Sequence, residues 1–349
     1  MKTRDVIYLQ GIGMLHFREN PADVKKAYPF AAVAKMEGIH FFYFSFNNVD
    51  FDNMKIDGWM YEEGKWIQKQ VDFPAVVINS CNPKTEIQTK ILKNLKKYAI
   101  LTSFPVGNKM KVYKKVKKAK VFASYLIPST TLHKPEELIS FLKNQPRAVI
   151  KPLSGNHGKK VFFIEKTEQQ YKVTEEFNTM YMNEKELNRY FQPIITGQKF
   201  LMQPFIECKT KNGLTYDFRL HVQKNGEGKW EINLIYPRIS GNAKMISNIS
   251  SGGYRGELAS FLKDEFGEES KKVKESLEVF ALTFSAHFDT LYENSFDELG
   301  IDVGMDANQR LWMFEVNWRP GSKNREFEVA KRLIPYCKYL INKNWKTII

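Results

Sequence analysis

The stretch Gly300–Lys323, GIDVGMDANQRLWMFEVNWRPGSK, constrains this chain more than any other. Strand-forming residues fill Ile301–Met305 and Leu311–Val316, and Asp306-Ala307-Asn308-Gln309 between them reads as a polar turn. With Asn308 and Gln309 at the tip, Asp302 faces Glu315 across the ladder. The strand period of two then places Asn317 on the same face as Glu315. Two carboxylates and an amide oxygen brought together would repel unless a hard cation such as Mg²⁺ sat between them. The competing reading is a solvated hairpin whose acids point outward, so the rest of the chain has to decide.

A chain of 349 residues exceeds one ordinary core, and its 43% hydrophobic and 14% aromatic content supplies packed interiors. Cys81, Cys208 and Cys337 are scattered and form neither a CxxC pair nor a Cys/His metal spacing, which fits a reducing, cytoplasmic setting and argues against zinc. The densest apolar run, Ile39–Phe46, is too short to span a membrane, and Asp5, Gln10 and the glycines interrupt any secretion signal. The net charge of +14 would draw phosphates, acidic metabolites, nucleic acid or an anionic envelope polymer. Part of it sits in the basic block from Asn108 to Lys120, most of which reads as a solvated helix face. Without an RNA-recognition aromatic pattern, a zinc finger or a heptad-linked basic region, nucleic acid is not the expected partner.

Three units follow from the element pattern: residues 1–105, 106–200 and 201–349. In the first, Val6–Leu9 reads as a strand, Gly11 and Gly13 as a turn, and a helix within Ala22–Glu37 closes at Gly38. A buried strand over Ile39–Phe46, a hairpin turning at Glu63-Gly64, a strand at Ala75–Ile78 and a helix over Thr85–Tyr98 complete it. The second unit has helices at Lys109–Lys120 and Pro135–Lys143. Strands Ala148–Lys151 and Val161–Glu165 then flank the glycine-rich Pro152–Lys160, and a helix capped by Asn183 and Glu186 ends before Pro193. In the third, Phe200–Ile206 is a strand that Pro204 places at an edge or bulge. A hairpin joins Tyr216–Gln223 to Lys229–Arg238, a polar loop runs from Asn248 to Gly253, and helices cover Glu268–Phe288 and Phe327–Asn342.

Strand, glycine-rich turn, strand describes a flap rather than a P-loop, which would open a helix. Lys151 at its base could reach phosphate oxygens while the backbone of Gly155–Gly158 approaches them. A surface turn with an exposed lysine is the alternative. Arg219 and Arg238, on the two arms of one hairpin, could clamp a phosphate or pair with Asp217 at the surface. His221 has no partner spaced for catalysis and reads as structural, and His157 is assigned no catalytic role.

Taken in order, these signals resemble the ATP-grasp superfamily. The matching residues are Asn108-Lys109, Val149–Pro152 with Ser154–Gly158, Gln203–Ile206, Asp217-Phe218-Arg219, Arg238, Asn248 with Gly252-Gly253, and Asp302 followed by Glu315–Asn317 and Arg319–Gly321. The similarity covers about residues 105–325. Its D-x-R, Arg and N-x-x-x-GG elements are similar to ligases that add glutamate to peptides or proteins, and the whole chain resembles YheC/YheD-type endospore coat-associated proteins.

The resemblance implies an α/β (α+β) ATP-grasp fold: a small N-terminal α/β domain followed by two α+β subdomains that grip ATP. It implies that Lys109 and Lys151 contact ATP phosphates under a flap of Ser154, Gly155 and Gly158. Gln203, Phe205 and Ile206 would receive the adenine. Asp302, Glu315 and Asn317 would hold Mg²⁺, two ions in this family type, with Mn²⁺ an alternative. Arg219, Arg238 and Asn248 would act on the transferred phosphoryl group. One departure is Asn108, where the family usually has aspartate, so Lys111 competes with Lys109 for the phosphate role.

The implied activity is an ADP-forming carboxylate–amine (or carboxylate–thiol) ligase working through an acyl phosphate on an amino-acid or peptide-like acid, with spore-coat or envelope association. Alternatives are a kinase that stops at a phosphorylated product and a non-catalytic coat protein that retains the fold.

Overall fold

The computed structural model describes residues 11–154, 160–176, 178–241 and 253–348, which build three sheets. The first contains β1 (Gly11–His16), β2 (His40–Ser45), β3 (Val49–Asp50), β4 (Lys55–Glu62), β5 (Lys65–Asp72), β6 (Val76–Asn79) and β7 (Ile100–Leu101), with helices α1 (Ala27–Met36) and α2 (Glu86–Leu95). Its centre is parallel, in the order β2-β1-β6-β7. The expected turn at Gly11 and Gly13 is instead the start of β1. A β-carbon on Gly13 would lie 2.8 Å from the Phe44 ring and 2.9 Å from Pro74, so glycine is there for room rather than for a reversal of the chain. The Val6–Leu9 strand lies outside the described residues.

In the second sheet α3 (Lys109–Ala119) precedes β8 (Thr130–Leu132), α4 (Pro135–Asn144), β9 (Arg147–Pro152), β10 (Phe162–Lys166), β11 (Tyr171–Glu175), β12 (Asn178–Met182), α5 (Glu184–Gly197) and β13 (Phe200–Pro204). Its antiparallel order is β12-β11-β10-β9-β13-β8. Strand β13 is therefore internal, not an edge. Pro204 is tolerated because it is the last residue of β13, beyond the Met202–Thr130 pair that ends the β8 ladder. Helix α5 also runs through Pro193 instead of stopping before it. Burial of Leu187, Phe191 and Ile195 on one face outweighs the single backbone bond that proline removes.

The third sheet holds β14 (Tyr216–Lys224), β15 (Trp230–Ile239), β16 (Tyr254–Arg255), β17 (Glu298–Met305) and β18 (Leu311–Asn317), in the order β16-β15-β14-β17-β18. Helices α6 (Leu258–Phe266) and α7 (Ser270–Asp289) cover one face, where Phe218, Leu220 and Val222 of β14 meet Leu277, Phe280 and Phe284 of α7. Each such buried side chain contributes about 1.5–3 kcal/mol. The opposite face of β14 carries Asp217, Arg219, His221 and Gln223, and of these only Arg219 is not fully buried. A polar sheet face shut away from water must satisfy its charges internally. The closing helix α8 (Glu326–Ile348) returns to the first sheet, where Leu333, Ile334 and Cys337 share a core with Ile12, Phe30 and Ile78.

Candidate active site

In the β17–β18 hairpin Asp302 pairs with Glu315 and Gly300 with Asn317, as the sequence register requires. The turn, however, is not the expected Asn308-Gln309 tip. It spans Asp306 to Arg310, because Oδ1 of Asp306 accepts the Asn308 and Arg310 amides at 2.9 and 3.0 Å and Oδ2 accepts the Trp312 indole at 2.8 Å. Met305 consequently pairs with Leu311, one residue out of the expected register, and a bulge at Phe314 restores the alignment before Glu315. Phe314 is left outside the ladder. Its carbonyl accepts from Lys151 Nζ at 3.3 Å, while the Tyr113 hydroxyl donates to the Met313 carbonyl at 2.8 Å. The bulge thus holds Lys151 against the hairpin.

Across the polar face, Tyr236, Arg219, Asp302 and Glu315 form one row over β15, β14, β17 and β18. Arg219 binds Asp302 through Nε and through Nη2 at 3.0 Å. Arg238 donates Nε to Asp217 at 2.7 Å and brings Nη2 within 3.1 Å of Asp302. The Arg238–Asp217 pair foreseen at the surface is buried, with Asp217 and Arg238 only 6% and 5% exposed, so a surface energy of 0–1 kcal/mol does not describe it. Burial alone would raise the Asp302 carboxyl, but Arg219 and Arg238 hold it below the usual carboxylate range. The mutual repulsion expected of Asp302 and Glu315 is therefore already relieved by cations on both sides.

Glu315 pairs with Lys109 Nζ at 3.1 Å, whereas Lys111 is solvent-exposed. Lys109 opens α3, and Asn108 is its N-cap, accepting the Lys111 amide at 3.0 Å. Asparagine therefore serves as well as aspartate at that position. Tyr113 falls one helical turn after Lys109. It accepts from Gln203 Nε2 at 3.1 Å, and the same amide nitrogen donates to Ser129 at 2.7 Å. Tyr113 and Ser129 were not singled out in the sequence, although the four-residue spacing from Lys109 marks Tyr113 as sharing its helix face.

A cavity of about 300 Å³ lies between the start of α3, Leu153-Ser154 and Phe314–Trp318, and Lys109, Ser154, Glu315 and Asn317 line it. Among the described residues no three His, Cys, Asp or Glu side chains come close enough to cage a metal. Glu315 and Asn317 do offer hard oxygens to this cavity, with Asp302 beside Glu315 on the same sheet face. That donor set suits Mg²⁺ arriving on phosphates, which needs only one or two carboxylates from the protein. Further along, the Phe205 amide is bonded to the Arg147 carbonyl at 3.0 Å and its ring stands edge-on to Phe163, while Ile206 packs on the third-sheet core. Gly155, His157, Gly158, Asn248 and Gly252 lie outside the described residues.

The family described as YheC/D-like ATP-grasp matches residues 97–340. The chain belongs to the YheC/D-like ATP-grasp family. It is 29% identical over 325 residues to the endospore coat-associated protein YheD of Bacillus subtilis (strain 168), covering 85% of this chain and 71% of that protein. YheC of the same strain is 22% identical over 307 residues, covering 82% of each. Among solved structures, this YheC/D-like chain is similar to a Chryseobacterium gregarium RiPP-associated ATP-grasp ligase in complex with ADP and a leader and core peptide, with TM-score 0.54, 14% identity and coverage of 96% and 97%. It is also similar to the ATP-grasp ligase PsnB complexed with a minimal precursor, with TM-score 0.55, 12% identity and coverage of 96% and 99%. These likenesses establish the ATP-grasp fold expected from the sequence. No helix of the described residues is long and apolar enough to cross a membrane.

Proposed function

We propose that this YheC/D-like chain is an ATP-dependent, ADP-forming ligase that joins an amino-acid or peptide-like carboxylate to an amine, and that it serves at the spore coat, as its relatives' names suggest. The observation that carries the proposal is Lys151. Its ammonium is partly buried beside Lys109, with no carboxylate within ion-pair distance among the described residues. Burial and Lys109 lower its pKa to about 8, against the opposing pull of Glu315 and Asp302. A cation kept in that state is best satisfied by an incoming phosphate.

In this reading the substrate carboxylate attacks the γ-phosphorus and ADP leaves. The amine then attacks the acyl carbon, phosphate leaves, and a proton is lost from nitrogen. Lys109 and Lys151 bind the phosphates, Arg219 and Arg238 offset the charge of the phosphoryl group in flight, and Ser154 stands at the base of the flap. Glu315, Asn317 and Asp302 would hold Mg²⁺, which when bound neutralises phosphate charge. No side-chain nucleophile is needed.

The test is a phosphate-release screen of amino acids and peptides in pairs. Release of ADP and phosphate that requires both a carboxylate and an amine is the expected result. ADP without free phosphate would instead mean a kinase, and failure to bind Mg-ATP would sink both readings. A second expectation concerns pH. Because ATP favours charged Lys151, Mg-ATP binding takes up a proton above pH 8 and weakens there by about tenfold per pH unit. Titration calorimetry of the Lys151→Met variant should give weaker binding below pH 8 and a flat profile above it. A wild-type affinity that does not change between pH 7 and 9.5 would contradict the role given to Lys151.

A further inference from the structure

A second cavity, about 570 Å³, opens at the C-terminal ends of β1 and β6. The chain passes from β1 to β2 on one side and then crosses to β6 on the other, so this is the point of the parallel sheet where ligands are held. The walls are strongly basic. Arg18, Lys25, Lys26, Lys84 and Arg319 line it, against the two acids Asp23 and Glu298. Glu298 is already engaged: His221 lies 3.3 Å from it. Burial would raise its carboxyl, but Lys26, His221 and Arg319 hold it ionised. None of the five cations forms a salt bridge among the described residues. The Arg319 guanidinium stacks on the Trp318 ring at 3.8 Å, an arrangement compatible with two-pronged recognition of a carboxylate along its edge.

His16 completes the lining with a donor. Its Nδ1 accepts the Arg18 amide at 3.1 Å, so in the neutral ring Nε2 carries the proton. Burial together with Arg18, Arg319, Lys26 and Lys84 lowers its pKa to about 4, so His16 remains neutral in this basic surround.

The cavity also connects to the chemistry. Phe314–Trp318 line the smaller cavity and Arg319–Gly321 the larger one, so a single run of chain leads from one to the other. His16, Arg18, Lys26 and Lys84 all precede residue 97, outside the family match.

We infer that this crevice binds the carboxylate substrate, and that the substrate is an acid with at least two negative groups, of the acidic amino-acid or acidic-peptide class. One carboxylate reaches past Arg319 toward the phosphates, and the remaining charge is read by Lys26, Lys84 and Arg18. The inference rests on the ligase reading above, but its test does not need turnover.

Titration calorimetry of the full chain without ATP, at fixed ionic strength, would compare L-glutamate, glutarate and a diglutamate peptide with L-glutamine and inorganic phosphate. The dicarboxylates should bind, with L-glutamine about tenfold weaker, a loss of about 1.4 kcal/mol, since one charge-assisted bond is gone. Lys26→Gln and Lys84→Gln, both near the rim, should each weaken diglutamate about tenfold as well, with thermal stabilisation by Mg-ATP unchanged as proof of folding. Equal binding of glutamine, wild-type affinity in both variants, or no binding by any dicarboxylate while Mg-ATP still binds would overturn the inference. Phosphate binding more tightly than every carboxylate would overturn the class of ligand. Dicarboxylate binding without any Mg-ATP binding would leave the crevice standing and remove the ligase reading instead.

Discussion

Replacing Arg238 by glutamine is expected to destabilise the third sheet by about 3–5 kcal/mol, because a buried pair broken on one side leaves uncompensated charge. Arg238 is 5% exposed and serves two carboxylates, Asp217 on its own hairpin and Asp302 on β17, both fully buried. Arg219 can still neutralise Asp302, but Asp217 has no second cation among the described contacts. The measurement is the urea midpoint followed by a probe in the third sheet, since a chain with several cores need not unfold in one step. The double variant Arg238→Gln, Asp217→Asn should recover part of the loss, because it removes the stranded charge as well as the pair. A midpoint for Arg238→Gln within about 1 kcal/mol of wild type would show that water reaches Asp217 and that the polar face is not sealed. The network also has a pH signature. Asp302 is held below its unfolded pKa of about 3.9, so its contribution is present above that value and is lost as pH falls through the lower folded one.

Glu315→Gln should behave in the opposite way, abolishing turnover while leaving the fold intact. Glu315 is partly exposed, and among the described residues its ion pair is with Lys109, at 3.1 Å, so its loss costs little stability. It nonetheless lines the cavity in which we propose that the phosphates sit, and removing its charge should lower phosphate release by about a thousandfold. Single-turnover phosphate release, with the urea midpoint alongside, separates the two effects. Asp302→Asn is the contrast, since it should lose both activity and stability by loosening Arg219 and Arg238 together. Retention of more than about a tenth of wild-type release by Glu315→Gln would move the catalytic role away from this hairpin.

The sequence by itself determined many of the strands, among them both arms of the β14–β15 and β17–β18 hairpins, and the faces that their side chains share, because a period of two is a local property, whereas the short β8, β11, β12 and β16 were not legible. Asp302 opposite Glu315 and the Asn183–Glu186 capping box could both be read this way. The glycines of β1 could not: Gly13 is demanded by Phe44 and Pro74, which reach it only after distant strands assemble. Pro193 and Pro204 misled for a similar reason, since apolar burial and position within a sheet overrode the local preference. In the opening hairpin the correct pairing at Asp302 survives a turn one residue out of place because a bulge at Phe314 makes up the difference. Only the tertiary structure decided what that bulge is for and who neutralises the acids. Lys109, Lys151, Arg219 and Arg238 come from three separate segments, and charge balance in a buried site depends on distances that the linear chain does not carry.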